Sequence, residues 1–288
     1  MIVSQDLLCP ARDGTPLRAT LVEPPQATHA VIVSGATAVP RGYYRAFAGY
    51  LAERGAAVLT YDYRGSGEPP AVLRASTARM RDWGDLDFSG TVAWMLERYP
   101  ALPLGVVGHS FGGHALCMAP NNDRVERSVL VTSHSGYWGY FTPLERWRVR
   151  LLLAGIGPLT TSALGYLASK RIGFGEDLAR GIFDDWRRWC GSPNYFDDDP
   201  TMAPILAREP SYCAPTLLLG MSDDPWGTRG AIDWLARRFT AAPVEVRILD
   251  PRAFSLAEIG HMGFFRTRNG PALWPIAAHH LGLMEVAA

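Results

Sequence analysis

The sequence predicts an α/β fold: one mostly parallel, eight-stranded sheet with helices on both faces and a helical insertion in the second half of the chain. Three observations carry this. Short apolar runs recur along the chain, separated by stretches with helical spacing of apolar residues, the signature of a parallel sheet buried on both faces. Between the runs at 128–131 and 216–219 that alternation stops, and only helical patterning remains. At 288 residues and 48% hydrophobic composition, the chain can bury a core large enough for one such domain, and no second, unrelated domain is required.

The opening runs at 5–9 and 16–22 flank Asp13-Gly14, a hairpin turn signal, and predict an antiparallel hairpin at the sheet edge. The six parallel strands are predicted at 30–33, 57–61, 104–107, 128–131, 216–219 and 244–249. Helices are predicted over 43–54, 82–99, 112–119, 229–239 and 271–283, where apolar residues recur at helical spacing. The interrupting block offers helical segments near 144–155, 162–169 and 178–189 and no convincing strand. Structureless loops of that length are uncommon, so the block is predicted as a helical lid over one edge of the sheet. The resulting layout is a core of 1–134 and 211–288 with a lid of 135–210.

The strongest chemical signal follows the third parallel strand: Gly108-His109-Ser110-Phe111-Gly112, a G-x-S-x-G pattern with an apolar strand before it and a helix after it. Such a strand-to-helix turn is too tight for side chains two residues either side of the serine, and it lifts the hydroxyl clear of the sheet. A serine hydroxyl is a weak nucleophile at neutral pH and needs a positioned base, which needs an orienting acid. An acid pair follows the strand at 216–219, in Gly220-Met221-Ser222-Asp223-Asp224-Pro225-Trp226, and a histidine follows the last strand, in Ile259-Gly260-His261-Met262-Gly263. Counting from Gly220 favours Asp223; the Asp-Pro step into a turn and helix favours Asp224, which is preferred, with the other aspartate capping the turn. His261 lies between Gly260 and Gly263, in backbone built to bend.

Serine, acid and histidine in that order are the order of the α/β-hydrolases, and the chain resembles that superfamily over nearly its whole length. Beyond the serine turn, the resemblance rests on Gly42-Tyr43-Tyr44-Arg45-Ala46-Phe47-Ala48, Thr60-Tyr61-Asp62-Tyr63-Arg64-Gly65-Ser66-Gly67, Arg81-Asp82-Trp83-Gly84, Gly136-Tyr137-Trp138 and Phe174-Gly175-Glu176-Asp177-Leu178. These are similar to a group of bacterial α/β-hydrolases defined by sequence rather than by substrate, themselves more distantly similar to monoacylglycerol lipases and lysophospholipases. The resemblance implies an α/β-hydrolase fold, a Ser110–His261–Asp224 triad and an oxyanion hole. One donor of that hole is expected from the Phe111 N–H. The second is expected from the loop Ser34-Gly35-Ala36-Thr37-Ala38, with Ala36 preferred over Thr37. Many relatives carry His-Gly where this chain has Ser34-Gly35, but the donor is a backbone group. At Gly227-Thr228, relatives usually have a proline-containing turn.

The insertion is rich in aromatic residues, most of them expected to pack; Tyr137, Trp138 and, beside the acid pair, Trp226 are the expected contacts to substrate, together with His134 after the strand at 128–131. His109 is expected to pack under the serine turn and His114 against the core. The 28 basic and 28 acidic residues balance, so no net field recommends nucleic acid or an anionic membrane surface. No histidine or carboxylate spacing suggests a metal, no G-x-G-x-x-G follows the first parallel strand, and no cofactor is expected. Four dispersed cysteines, the absence of a signal-peptide pattern and the lack of a membrane-spanning apolar run predict a soluble, cytoplasmic protein, monomeric or homodimeric. The function read from these residues is hydrolysis of a carboxylic ester or thioester of an apolar or aromatic small molecule through an acyl-enzyme. The alternatives are acyl transfer or cyclisation by the same three groups, and C–C bond hydrolysis or lysis.

Overall fold

The structure, a computed structural model, describes residues 1–207 and 212–283. Strands β1 (Val3–Pro10) and β2 (Pro16–Glu23) form the expected hairpin, with Val3 opposite Glu23 and Pro10 opposite Pro16. Then follow β3 (His29–Ser34), α1 (Arg45–Ala52), β4 (Ala56–Tyr61), α2 (Pro70–Ala75), α3 (Ser89–Arg98), β5 (Leu104–His109), α4 (Phe111–Met118) and β6 (Arg127–Val131). The insertion contains α5 (Pro143–Arg150), α6 (Gly157–Leu164), β7 (Tyr166–Leu167), β8 (Leu178–Ala179), α7 (Arg180–Gly191) and α8 (Ala203–Leu206). The chain returns through β9 (Thr216–Met221), α9 (Arg229–Ala236), β10 (Val244–Leu249) and α10 (Gly270–His280). The main sheet has eight strands in the order β1-β2-β4-β3-β5-β6-β9-β10; β1 and β2 run antiparallel and the other six are parallel.

Because side chains alternate across a strand, the same strands feed two cores. In β3, Val31 and Val33 join Phe47 and Leu51 of α1 and Leu273 and Trp274 of α10 on one face. Ala30 and Ile32 face the opposite core, with Val92 and Met95 of α3, Leu116 of α4 and Leu235 of α9. The insertion adds Leu153, Phe183 and Trp189 to that second core, so it is packed onto the sheet domain through apolar contacts.

Three local expectations are corrected. The helix expected over 162–169 instead starts at Gly157 and ends at Leu164, because Gly165 turns left-handed at φ +79°. The insertion is not free of strand: Tyr166 and Leu167 pair antiparallel with Ala179 and Leu178. Helix α2 was not among the expected helices; Pro70 stands at its first turn, where no N–H is needed. The expected boundary at 210/211 lies outside the described residues. No described helix is long and apolar enough to cross a membrane.

Candidate active site

Ser110 joins β5 to α4 with φ 52° and ψ −111°, a strained conformation for a residue with a side chain. The two glycines around it make the turn possible. A Cβ on Gly108 would lie 2.8 Å from the Gly112 carbonyl carbon, and one on Gly112 would lie 2.0 Å from the Ser34 carbonyl oxygen. The Ser110 N–H donates to Val131 O at 2.9 Å, tying the turn to the end of β6.

His261 arrives from the loop after β10. Its Nδ1 lies 2.8 Å from Asp224 Oδ2 and its Nε2 lies 3.1 Å from Ser110 Oγ. A carboxylate only accepts, so Nδ1 carries the proton and the Nε2 lone pair faces the serine hydroxyl. Asp224 is buried, and its Oδ1 also accepts the Trp226 N–H at 2.9 Å. Burial works against its charge, but His261, His134 and the Trp226 N–H outweigh it and hold the carboxyl well below the usual carboxylate range. Asp223 has a different task. Its two oxygens accept the Ile259 N–H at 2.8 Å and the Gly260 N–H at 2.9 Å, pinning the loop that delivers His261. The turn cap expected of the second aspartate is therefore made by Asp224 itself.

A buried chain of hydrogen bonds not visible in the sequence supports this row. The His261 carbonyl accepts from His109 Nε2 at 3.0 Å and from Thr132 Oγ1 at 3.2 Å, while Tyr43 Oη donates to Met262 O at 2.6 Å. With its proton on Nε2, His109 accepts at Nδ1 from the Tyr44 hydroxyl, 2.9 Å away. Tyr44 Oη in turn accepts the Ala36 N–H at 2.9 Å. His109 packs under the serine turn as expected, and burial pushes its pKa down to about 3, so it stays neutral. Ala36, preferred from the sequence as the second oxyanion donor, thus has its N–H engaged by Tyr44. The next amide, Thr37, has no hydrogen-bond partner among the described residues, and Phe111, as the first residue of α4, has no intrahelical acceptor for its N–H.

These groups open onto a cavity of about 400 Å³ whose wall includes Ser110, Phe111, Ala36, Thr37 and His261. The sequence profile of the alpha/beta hydrolase family matches residues 30–268, which include all of these groups. The chain belongs to the alpha/beta hydrolase family. Among solved structures, it is similar to the α/β hydrolase GrgF from Penicillium sp. sh18, with 18% identity over 97% of this chain and 99% of that one and a TM-score of 0.59. It is also similar to the Pyrococcus furiosus esterase Pf2001, with 15% identity, 98% and 91% coverage and a TM-score of 0.61. A third is the enol-lactonase from Burkholderia xenovorans LB400, with 16% identity, 95% and 100% coverage and a TM-score of 0.55. At these identities the likeness shows the fold. No curated protein matches the chain in sequence. Family membership supports a hydrolase.

Of the expected substrate contacts of this α/β-hydrolase, Trp226 and His134 line the cavity. Trp226 stacks on Phe141 at 5.1 Å, and its ring lies 5.5 Å from that of His261. Tyr137 and Trp138 do not line it. The short helical turn Trp138–Tyr140 directs Trp138 over Gly191 of α7 and under Arg150, and Tyr137 packs edge-on against Tyr140. Phe141, Phe174 and Trp186 occupy the wall instead. One ligand atom each of His134, Asp224 and His261 lies within 4.8 Å of the others, but a metal there would have to take His261 or Asp224 from its present partner.

Proposed function

We propose that this α/β-hydrolase is a serine esterase that cleaves a carboxylic ester or thioester of a neutral, apolar or aromatic small molecule. The observation that carries the reading is the hydrogen-bonded row Asp224–His261–Ser110 at the wall of an aromatic cavity. Ser110 Oγ attacks the carbonyl carbon as His261 Nε2 takes its proton, and Asp224 stabilises the imidazolium that forms. The developing oxyanion is met by the N–H groups of Phe111 and Thr37, neither of which has a hydrogen-bond partner among the described residues. The tetrahedral intermediate collapses to an acyl-Ser110, and the leaving alcohol or thiol takes the proton from His261. A water then repeats the sequence from the other side, its proton passing to His261, and releases the carboxylic acid and free Ser110. The helical insertion acts as the lid that shapes the acyl and leaving-group pockets, and the substrate is a small molecule rather than a nucleic acid.

A fluorophosphonate probe is expected to label the wild-type protein at Ser110 and to leave Ser110→Ala unlabelled. A panel of p-nitrophenyl esters of graded chain length is expected to be hydrolysed only by the wild type. Hydrolysis undiminished in Ser110→Ala would overturn the assignment.

A further inference from the structure

Two side chains of the cavity wall carry polar atoms that ester hydrolysis does not use. His134 Nδ1 lies 2.8 Å from the Ser135 carbonyl oxygen, and His114 Nε2 lies 2.9 Å from the His134 carbonyl oxygen. A carbonyl only accepts, so each bonded nitrogen carries its ring's proton. The opposite atoms, His134 Nε2 and His114 Nδ1, are left as bare lone pairs. Both side chains are buried, and neither lone pair has a partner among the described residues. Burial also keeps both rings neutral, pushing His134 down to about 4 and His114 down to about 3, so these nitrogens remain acceptors across the neutral range.

One ring lies beside the residue that follows the nucleophile, and the other lies beside its base. His114 stands one turn along α4 from Ser110, with its ring 5.8 Å from Phe111, and the His134 ring lies 5.4 Å from that of His261. Tyr195 adds a third group: it is buried, its ring lies 5.3 Å from His114, and its hydroxyl bonds to no described residue. All three residues line the cavity that contains Ser110, and among the described residues no arginine or lysine does.

We infer that the substrate is a neutral ester or thioester whose acyl part carries its own hydrogen-bond donors, hydroxyl or amide N–H groups, received by His134 Nε2 and His114 Nδ1 with the Tyr195 hydroxyl as a third contact. The inference rests on the serine esterase reading and narrows it, from apolar acyl groups in general to hydroxylated or amide-bearing ones. A plain alkyl or aryl acyl group would leave two buried acceptors unmet, and a site built around such acceptors discriminates strongly against the analogue that lacks the donor. With no arginine or lysine among the described residues of the wall, an anionic acyl group meets no cation there.

The test compares matched esters that differ by one hydroxyl: methyl mandelate against methyl phenylacetate, and methyl 3-hydroxybutyrate against methyl butyrate, followed by acid release. Wild-type kcat/KM is expected to favour the hydroxy ester at least tenfold in one pair or both. His134→Phe and His114→Phe are each expected to lose at least tenfold more on the hydroxy ester than on its partner. As a readout independent of turnover and of those two variants, Ser110→Ala protein is titrated calorimetrically with mandelamide and phenylacetamide, and mandelamide is expected to bind at least tenfold more tightly. Equal kcat/KM within both pairs and equal binding of the two amides, with Ser110 still labelled by fluorophosphonate, would overturn the inference while leaving the esterase reading standing. Absence of labelling and of turnover would overturn the esterase reading, and the amide comparison would still decide whether the two nitrogens select a donor.

Discussion

At the scale of single residues, the adjacent aspartates divide one job in two. Asp224 faces the imidazole, and Asp223 holds the backbone that carries it. Asp224→Asn keeps the size of the side chain but favours the wrong imidazole tautomer, and kcat is expected to fall by about 10⁴-fold. Asp223→Asn retains one acceptor for two N–H donors. It is expected to lower kcat by roughly 10²-fold, the usual cost of a small misplacement of a catalytic group. Steady-state kinetics on a p-nitrophenyl ester check the pair, and equal losses in the two variants would contradict the division. Ser110, His261 and the aspartate pair were legible in the sequence because each follows its own strand, and in this fold strand ends converge on one edge. The choice between the aspartates rested on local turn chemistry, whereas the two roles depend on contacts to a loop more than thirty residues away. For the same reason the engagement of the Ala36 N–H, the preferred second oxyanion donor, was not legible. The hydroxyl that occupies the Ala36 N–H belongs to Tyr44, and nothing in the loop 34–38 announces it.

At the scale of elements, the strands and the long helices were legible because burial on two faces writes continuous apolar runs and burial on one writes a helical period. The insertion was legible as helical but not in detail. Its strands are only two residues long, and whether an aromatic residue lines the cavity or covers the outside is decided by a single turn at Trp138–Tyr140. What fastens the insertion to the sheet domain is partly polar. Asp185, a fully buried residue of α7, accepts from Arg79 Nε at 2.9 Å and the Met80 N–H at 3.1 Å across the boundary, and from Arg188 at 2.8 Å within α7. Asp185→Ala leaves the buried Met80 N–H without its acceptor and removes one partner from each of two partly exposed arginines, and the expected loss is about 2 kcal/mol of unfolding free energy. Urea denaturation checks it, and a loss below about 1 kcal/mol would show that the apolar contacts of α7 suffice.

At the scale of the whole molecule, the fold encloses three imidazoles around one site, and this sets how stability responds to acid. His109, His114 and His134 are held neutral by burial, with pKa values pushed down to about 3, 3 and 4, whereas an exposed histidine titrates near 6.5. As pH falls from about 6.5 towards 4, the unfolded chain binds protons at these positions that the folded chain does not. The unfolded state is thereby favoured, and stability falls with pH. Two carboxyls oppose this. Burial pushes Asp87 up to about 7 and raises Asp82, so in the same window the folded chain holds protons there that the unfolded chain releases. Three protons against at most two leave a net slope of about 1.4 kcal/mol or more per pH unit near pH 5, with stability lost towards acid. Urea midpoints at pH 7, 6 and 5 are expected to fall in that order. His114→Gln, which keeps an N–H donor for the His134 carbonyl but cannot titrate, is expected to flatten the slope by about one proton's worth. Midpoints that stay level or rise towards pH 5 would mean that the buried carboxyls outweigh the imidazoles.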